Sequence, residues 1–321
     1  MSVLKTVLGS MEFAGRVMLP ETKLMLHLFQ KYNGVEIDSA FMYEDGKSEE
    51  FLGRLKDKTS KINFEYATKA NPLEGKTLGA KSVRVQLETS LKNLQTDSVS
   101  IFYLHMPDHH TPLKETLKAV DELHKEGKFN ELGLSNYSSW LVSEVVNLCK
   151  QNNWIQPTVY QGMYSALTRM VEKELLPCVR YHNMRFYGFS PLGGGLLTGK
   201  HRIEDLHDNE PGRFFSGKRV DIYRNRYWKK EYFDAVGTLS EAIYSSYGNS
   251  VSIAEAAIRW LYHHSALKGE YGDAVVIGAS SVDNLSQNLL YTTKRPLDEN
   301  VVSVIDNIWK RTSHLCPDYA R

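Results

Sequence analysis

The chain has 321 residues, of which 42% are hydrophobic and 24% are charged, and its formal net charge at pH 7 is +1. This is the composition of an ordinary globular protein with a large core. A nearly neutral chain offers no broad electric field to nucleic acid or to an acidic membrane, so neither partner is expected. The length accommodates two average domains or one large α/β barrel with insertions.

Cysteine usage and the N-terminal segment bear on the compartment. Cys149, Cys178 and Cys316 are far apart and show no CxxC spacing, which is typical of a reducing compartment. Charged residues interrupt the N-terminal segment where a secretory signal would be apolar, and no segment has the length of a membrane span. We therefore expect a cytoplasmic protein; an organelle protein whose presequence has been removed is the alternative.

Apolar, β-rich runs alternate with helical patterns along the chain. The predicted elements, in order, are strand Val35–Ile37, helix Gly46–Leu55, strand Phe64–Ala67, helix Val83–Leu94, strand Val99–Leu104, helix Pro112–Glu126, strand Glu131–Leu134, helix Ser138–Lys150, strand Pro157–Tyr160, helix Val171–Tyr181, strand Arg185–Phe189, helices Tyr232–Tyr247 and Ile253–His263, strand Ala274–Ile277 and helix Val282–Leu290. Thr111 is a candidate N-cap for the predicted helix at 112–126, and Gly127 is its stop signal.

This alternation predicts a parallel sheet with helices outside it. Seven or eight units favour a closed (β/α)8 TIM barrel, and no linker divides residues 1–321, so we expect one domain. The stretch 200–229, which holds two glycines, several arginines and three aromatic residues, breaks the rhythm. Barrel active sites are built from the loops that follow the strands, so we interpret this stretch as a functional loop at the C-terminal face.

Four polar side chains are expected where strands end. Asp38 and Tyr43 follow one predicted strand, Lys69 follows the next, and His105 follows the strand that ends at residue 104. A buried lysine needs a partner, and Asp38 is the obvious one. An ammonium group beside a tyrosine hydroxyl favours the phenolate and lowers the pKa of the tyrosine, which would let Tyr43 donate a proton near neutral pH. His105 could hydrogen-bond a substrate carbonyl.

Each of these side chains also has a structural interpretation when taken alone: a capping aspartate, a buried tyrosine or a satisfied core histidine. The adjacent histidine pairs at 109–110 and 263–264 lack the spacing of metal ligands, so no metal is expected. The run Gly193–Gly195 lacks the spacing of a dinucleotide fingerprint, although a phosphate could meet its backbone N–H groups.

In their order and context, Asp38, Tyr43, Lys69 and His105 resemble the catalytic tetrad of the aldo-keto reductases, and the resemblance runs along the whole chain. Further segments resemble the aflatoxin-aldehyde reductase branch of that superfamily, whose members also reduce succinic semialdehyde and form homodimers. These segments are 160–164 (YQGMY), 212–215 (GRFF), 223–229 (YRNRYWK) and 316–321 (CPDYAR).

The resemblance implies that NADPH binds across the C-terminal face of the barrel and that hydride passes to an aldehyde or ketone carbon. Tyr43 would donate the proton, Lys69 and Asp38 would tune Tyr43, and His105 would position the carbonyl oxygen. The implied cofactor contacts are Ser10, Asp38, Ser135, Asn136, Gln161, Phe189, Ser190, Leu192, Gly194, Lys200, Arg213, Gly278, Ser280, Asn284, Gln287 and Asn288. The implied substrate contacts are Met42, Tyr43, His105, Tyr223, Arg226, Trp228 and Arg321.

Two other classes of protein fit parts of the pattern. The β subunits of voltage-gated potassium channels resemble this fold and bind NADPH but act mainly as binding partners; they resemble one another in carrying Asn where this chain has His105. A metal-dependent barrel hydrolase would need clustered His and Asp ligands at several strand ends. The physiological aldehyde, and a role in detoxification as against metabolism, stay open at this point.

Overall fold

The structure is a computed structural model that describes residues 4–56, 64–207, 212–217 and 219–321. Within those ranges there are eight strands and eleven α-helices. The strands are β1 (Lys5–Gly9), β2 (Glu36–Asp38), β3 (Glu65–Ala70), β4 (Val99–Leu104), β5 (Phe129–Ser135), β6 (Pro157–Met163), β7 (Arg185–Phe189) and β8 (Ala274–Ile277). The helices are α1 (Leu19–Lys31), α2 (Lys47–Leu55), α3 (Ala80–Leu94), α4 (Leu113–Lys125), α5 (Ser139–Asn152), α6 (Leu175–Tyr181), α7 (Val220–Tyr227), α8 (Lys230–Tyr247), α9 (Ile253–His263), α10 (Val282–Thr292) and α11 (Glu299–Thr312).

The eight strands close into a barrel. Each strand pairs in parallel with the next one in the chain, and β8 returns to pair with β1. Parallel strands linked by helices place the helices on the outer face and bring all the carboxyl ends of the strands to one rim. The predicted (β/α)8 barrel is therefore confirmed. No helix in the described part of the chain is long and apolar enough to cross a membrane.

Most predicted elements are present with small shifts at their ends. The strands at 99–104, 185–189 and 274–277 and the helix at 253–263 have the predicted bounds. The apolar stripe of α3 is buried against the barrel as its helical spacing predicts. Helix α6 is shorter than predicted, because its first predicted residues form a separate 3-10 turn, Met170–Glu172.

Two local predictions were wrong. Thr68 and Lys69 lie inside β3, not beyond its end, so the strand continues to Ala70. Thr111 does not cap α4: the N-cap position is occupied by Pro112, and the Thr111 hydroxyl donates a hydrogen bond to Asp108 instead. Asp108 lies three residues before Thr111, so its carboxylate oxygen is within reach of the threonine hydroxyl and takes the hydrogen bond.

Glu36 of β2 is a buried acid in the interior of the barrel. Glu36 is 7% exposed and accepts a hydrogen bond of 3.0 Å from the Tyr187 hydroxyl. Its other carboxylate oxygen, Oε1, is buried without a partner. Burial raises the pKa of Glu36 to about 7, against the opposing effects of the Tyr187 hydrogen bond and the Arg185 charge. A carboxylate that has lost its water and gained one donor binds a proton more readily than a solvated one.

This shift predicts a pH dependence of stability. The pKa of Glu36 is higher in the folded chain than in the unfolded chain. The free energy of unfolding therefore falls as the pH rises from about 4.5 to about 7. Glu36→Gln removes that loss. Relative to wild type, the free energy of unfolding of the variant should gain roughly 2 kcal/mol between pH 5 and pH 8. Denaturant titrations at both pH values measure this difference.

The matched control for this measurement is Glu144→Gln, because Glu144 is exposed on α5. Its stability should follow wild type at both pH values. Parallel pH profiles for wild type and Glu36→Gln would contradict the assignment of a raised pKa to Glu36.

Candidate active site

A cleft of about 820 Å³ opens at the carboxyl ends of the strands. Residues that follow β1, β2, β4, β5, β7 and β8 contribute to its walls, together with the loop and helix between residues 200 and 228. A site at this rim is where the connecting loops of a parallel barrel converge. The cleft is long: Tyr43 and His105 line one end, and the start of α10 lines the other.

Lys69 forms the polar centre beneath the first end of the cleft. Its side chain is fully buried, and its Nζ donates to both carboxylate oxygens of Asp38 at 2.7 Å and to the Ser39 carbonyl at 2.6 Å. Gln161 Nε2 donates a further hydrogen bond of 2.8 Å to Asp38 Oδ1. Strand register explains the meeting: Ala67 of β3 faces the barrel interior, and Lys69, two residues on, faces the same way.

The Lys69 ammonium group lies beside the Tyr43 ring, 5.2 Å from its centroid. Burial alone would lower the pKa of Lys69, but the Asp38 carboxylate outweighs it and the pKa is raised, so Lys69 stays charged. Burial raises the pKa of Tyr43, and the Lys69 charge lowers it by less. The expectation of a net lowered pKa for Tyr43 is therefore wrong for the chain by itself. The Lys69 charge offsets only part of the cost of burying the Tyr43 phenolate away from water.

His105 faces Tyr43 across the end of the cleft, with ring centroids 6.1 Å apart in an edge-to-face arrangement. Burial holds the pKa of His105 well below its usual value, and the Lys69 charge acts in the same direction. The imidazole is therefore neutral near pH 7, and one ring nitrogen carries a proton that it can donate. Its Nδ1 is buried without a hydrogen-bond partner.

Asn136 holds the loop after β5 in place. Its backbone is left-handed, with φ at 61°, a conformation that asparagine tolerates better than most residues. Its Nδ2 donates to the His105 carbonyl at 2.8 Å and to the Ser135 hydroxyl at 3.0 Å. Ser135 of β5, Asn136 just after it and Gln161 of β6 all line the cleft, so this part of the barrel contributes three polar side chains to its wall.

The loop after β7 forms the middle of the cleft wall. Phe189, Ser190, Leu192 and Gly194 all line it. Gly194 has a φ of 70°, and an added Cβ would lie 2.8 Å from the Tyr223 ring. Glycine is therefore required there on two counts, backbone conformation and close approach.

The far end of the cleft is polar and lies at the start of α10. The Ser281 hydroxyl caps this helix by accepting from the Asn284 backbone N–H. The predicted cofactor contacts that line this end are Gly278, Ser280, Asn284, Gln287 and Asn288. A helix N-terminus with free N–H groups and neutral donors favours an anionic group.

Arg213 crosses from the long loop to the loop after β1. It binds the Glu12 carboxylate with an N···O distance of 2.8 Å, and its Nη1 donates to the Tyr223 hydroxyl at 3.2 Å. Its Nη2 atom would lie 3.8 Å from a Cβ added at Gly278. Arg213 and Lys200, two of the predicted cofactor contacts, both line the cleft.

Four of the predicted substrate contacts, Met42, Tyr223, Arg226 and Arg321, line the cleft together with Tyr43. The C-terminal tail is anchored there, because the Arg321 N–H donates to the Asn136 carbonyl at 3.0 Å. The Arg321 carbonyl lies 3.2 Å from the ring nitrogen Nε2 of a histidine at position 109. A C-terminal residue held by two contacts presents its side chain to the cleft.

Three predicted site residues are not on the cleft wall. Lys69 lies beneath it. Ser10 is fully buried, and its hydroxyl accepts from Ser48 at 2.9 Å. Trp228 packs edge-to-face on Phe214, 5.1 Å between centroids, and its Nε1 donates to a backbone carbonyl at 3.1 Å. Trp228 therefore supports the wall from behind in this structure, and its role as a substrate contact stays a prediction.

Arg219 is a cleft residue that the sequence analysis missed. It is half-buried, its Cζ lies 5.6 Å from the centroid of the Tyr43 ring, and it lines the cleft. It precedes α7, a helix inside the stretch that was interpreted as a loop. Within the described residues, no group of three or more His, Cys, Asp or Glu side chains is placed to hold a metal ion.

The comparisons with known proteins agree with this fold. The model of the aldo/keto reductase family matches residues 5–310, so this chain belongs to the aldo/keto reductase family and is an oxidoreductase. It is 51% identical to aflatoxin B1 aldehyde reductase member 2 of Mus musculus, over 98% of this chain and 87% of the relative. It is 49% identical to aldo-keto reductase family 7 member A3 of Homo sapiens, over 98% of this chain and 97% of the relative. The similarity to aldehyde reductases confirms the expected resemblance and supports aldehyde reduction.

The buried ion pair predicts a coupled effect on stability. Lys69→Met leaves the Asp38 carboxylate buried with Gln161 as its remaining side-chain donor. Removing one partner of a buried pair costs about 3–5 kcal/mol. The double variant Asp38→Asn/Lys69→Met removes both charges and should regain a large part of that loss. Denaturant titration of the two single variants and the double variant measures the coupling.

Arg54→Gln is the control for this cycle, since its exposed pair with Glu50 has an N···O distance of 3.6 Å and should contribute little. A double variant that loses the sum of the two single losses would show that the two charges do not depend on each other.

Proposed function

We propose that this protein reduces aldehydes to alcohols with NADPH as the hydride donor and Tyr43 as the proton donor. The substrates proposed are succinic semialdehyde, dialdehydes of the aflatoxin type and other reactive aldehydes. One observation carries the proposal: a buried lysine–aspartate pair beside a tyrosine, facing a neutral histidine, at a cleft of about 820 Å³. Such a set can hold and deliver one proton without a metal.

The donor set of the cleft fits an extended dinucleotide. Polar side chains of β5 and β6 at the Tyr43 end suit a carboxamide, and Phe189 offers an aromatic face beside them. Arg213, Lys200 and the N-terminal turn of α10 supply positive charge and N–H groups toward the far end. Ser280 and Asn284 hydrogen-bond each other at 3.2 Å there. Cationic and N–H donors of this kind bind phosphate groups.

When bound, the reduced nicotinamide supplies the hydride. His105, neutral because it is buried, donates a hydrogen bond to the carbonyl oxygen of the substrate and orients it. Tyr43 donates its hydroxyl proton to the same oxygen as negative charge develops on it. Lys69 stabilises the tyrosinate that remains, and Asp38 with Gln161 holds Lys69 in place. Fixed charges in a buried site need little reorganisation during the reaction.

The arginines at the Tyr43 end support a carboxylate-bearing substrate. Arg226 and Arg321 line the cleft beside Tyr43, and a guanidinium group binds a carboxylate through two parallel hydrogen bonds. A semialdehyde with a carboxylate at its other end would place its carbonyl at Tyr43 and His105. The names of the relatives support aldehydes of the aflatoxin type.

The assembly and setting of the protein are part of the proposal. We expect a homodimer, one domain over residues 1–321, a cytoplasmic location and a role in removing reactive aldehydes. The resemblance to the aflatoxin-aldehyde reductase branch supports the dimer and the role.

The proton donor is tested by Tyr43→Phe, which keeps the ring and removes the hydroxyl. Loss of a general acid costs about 10²–10⁴-fold in rate, so kcat for 4-nitrobenzaldehyde should fall by that factor. The affinity for NADPH, measured by quenching of tryptophan fluorescence, should stay within a few-fold of wild type. A control variant with an exposed tyrosine, Tyr181→Phe, should keep wild-type kcat. Near wild-type turnover by Tyr43→Phe would show that another group supplies the proton.

Cofactor choice is tested by titrating NADPH and NADH against the same protein. We expect wild type to bind NADPH at least tenfold more tightly, because a charge-assisted hydrogen bond to the 2′-phosphate contributes about 1.5–3 kcal/mol. Arg213→Ala should shrink the gap between the two cofactors. Glu12→Gln removes the carboxylate partner of Arg213 and leaves the guanidinium, so the gap should persist there. Equal affinities in wild type would refute the NADPH assignment.

A further inference from the structure

Three guanidinium groups surround the Tyr43 end of the cleft. Arg219 lies over the Tyr43 ring, Arg226 comes from the last turn of α7, and Arg321 ends the anchored tail. All three line the cleft together with Tyr43. They come from three places in the chain, and the fold brings them to one location.

Within the described residues, these guanidinium groups form no ion pair. In residues 4–56, 64–207, 212–217 and 219–321, no side-chain hydrogen bond or ion pair involves Arg219, Arg226 or Arg321. Arg213, which lines the same cleft, is instead held by Glu12. Arg16, a further arginine of the cleft, pairs with the same Glu12 carboxylate. Of the five cleft arginines, two therefore share one internal carboxylate, and the other three are left to meet an anion that arrives from outside.

The three charges lower the pKa of groups at the Tyr43 end of the cleft, including one of the arginines themselves. Burial lowers the pKa of Arg321, and the like charges of Arg226 and Arg219 lower it further. Burial also lowers the pKa of His105, and the charges of Arg219 and Arg321 act in the same direction. Like charges held together lose this repulsion when an anion binds between them. A single carboxylate offsets one of three positive charges.

We propose that Arg219, together with Arg226 and Arg321, forms a subsite for short aldehydes whose other end carries two negative charges, and that Arg219 sets the preference for the second charge. The inference rests on the proposed aldehyde reduction. A phosphonate or phosphate end has three acceptor oxygens, enough for more than one guanidinium fork, whereas a carboxylate has two. Arg219 is therefore a specificity-determining residue of the site.

The geometry also limits the length of the substrate. The Cζ atom of Arg219 is 5.6 Å from the centroid of the Tyr43 ring. An aldehyde whose carbonyl oxygen is held by Tyr43 and His105 can reach Arg219 with its charged end after a few bonds. Compact anionic aldehydes fit this arrangement better than long ones.

Three aldehydes of similar length and different charge test the proposal at pH 8: butanal, succinic semialdehyde and 3-phosphonopropanal, with NADPH in excess. Wild type should show the highest kcat/KM for the phosphonate, about tenfold above succinic semialdehyde. Arg219→Gln should lower the ratio of kcat/KM for the phosphonate to that for butanal by at least tenfold. Arg219→Lys, which keeps the charge, should restore part of the ratio. Arg54→Gln, an exposed arginine of α2, should leave all three values unchanged.

The outcomes separate this inference from the proposed function. If wild type reduces none of the three aldehydes, aldehyde reduction itself is refuted. If it reduces butanal and succinic semialdehyde but shows no advantage for the phosphonate, the subsite is refuted while the reductase function stands. A loss in Arg219→Gln that is equal for all three aldehydes would likewise overturn the specificity role, because a general disturbance of Tyr43 would have that effect.

Discussion

The buried ion pair of Lys69 and Asp38 is the interaction on which the rest of the site depends. Two opposite charges inside a barrel are tolerated because each satisfies the other and because Gln161 and a backbone carbonyl complete their hydrogen bonds. The pair fixes a permanent positive charge beside Tyr43, whose hydroxyl would otherwise be harder still to ionise. Asp38 pairs in register with Ala67, and Lys69 lies two residues further along β3 on the same face, so the barrel itself positions the pair.

Charge is distributed unevenly along the cleft, and this distribution connects the fold with the proposed function. At one end His105 is kept neutral by burial, so it can donate a hydrogen bond without adding a charge. Arg213 is paired with Glu12 along the wall, whereas Arg219, Arg226 and Arg321 form no ion pair in the part of the chain that the structure describes. The same cleft therefore contains polar and cationic groups for the proposed dinucleotide. It also contains three arginines without an acidic partner among the described residues, and these would face the proposed substrate.

Most of the fold, and the four residues of the reacting end, could be predicted from the sequence. Strand–helix periodicity indicates the barrel, and a polar residue after each of several strands indicates the rim. The direction of the pKa shift of Tyr43 could not be predicted. It is a balance between burial, which raises the pKa, and the Lys69 charge, which lowers it, and the balance depends on how deeply the hydroxyl is buried. Arg219 and α7 were missed because glycines and arginines in the long stretch hide the helical pattern. The packing of Trp228 behind the wall could not be predicted either, because a motif does not show which way a ring points.

The most direct test of the central claim is a single-turnover stopped-flow measurement of NADPH oxidation by wild type with 4-nitrobenzaldehyde, in H2O and in D2O. If Tyr43, polarised by the Lys69–Asp38 pair, delivers its proton as the hydride arrives, the rate should be slower in D2O and also slower with deuterium on the transferred hydride position. A clear hydride isotope effect with no solvent isotope effect would contradict the account, because the proton would then move outside the step that the pair is built to assist.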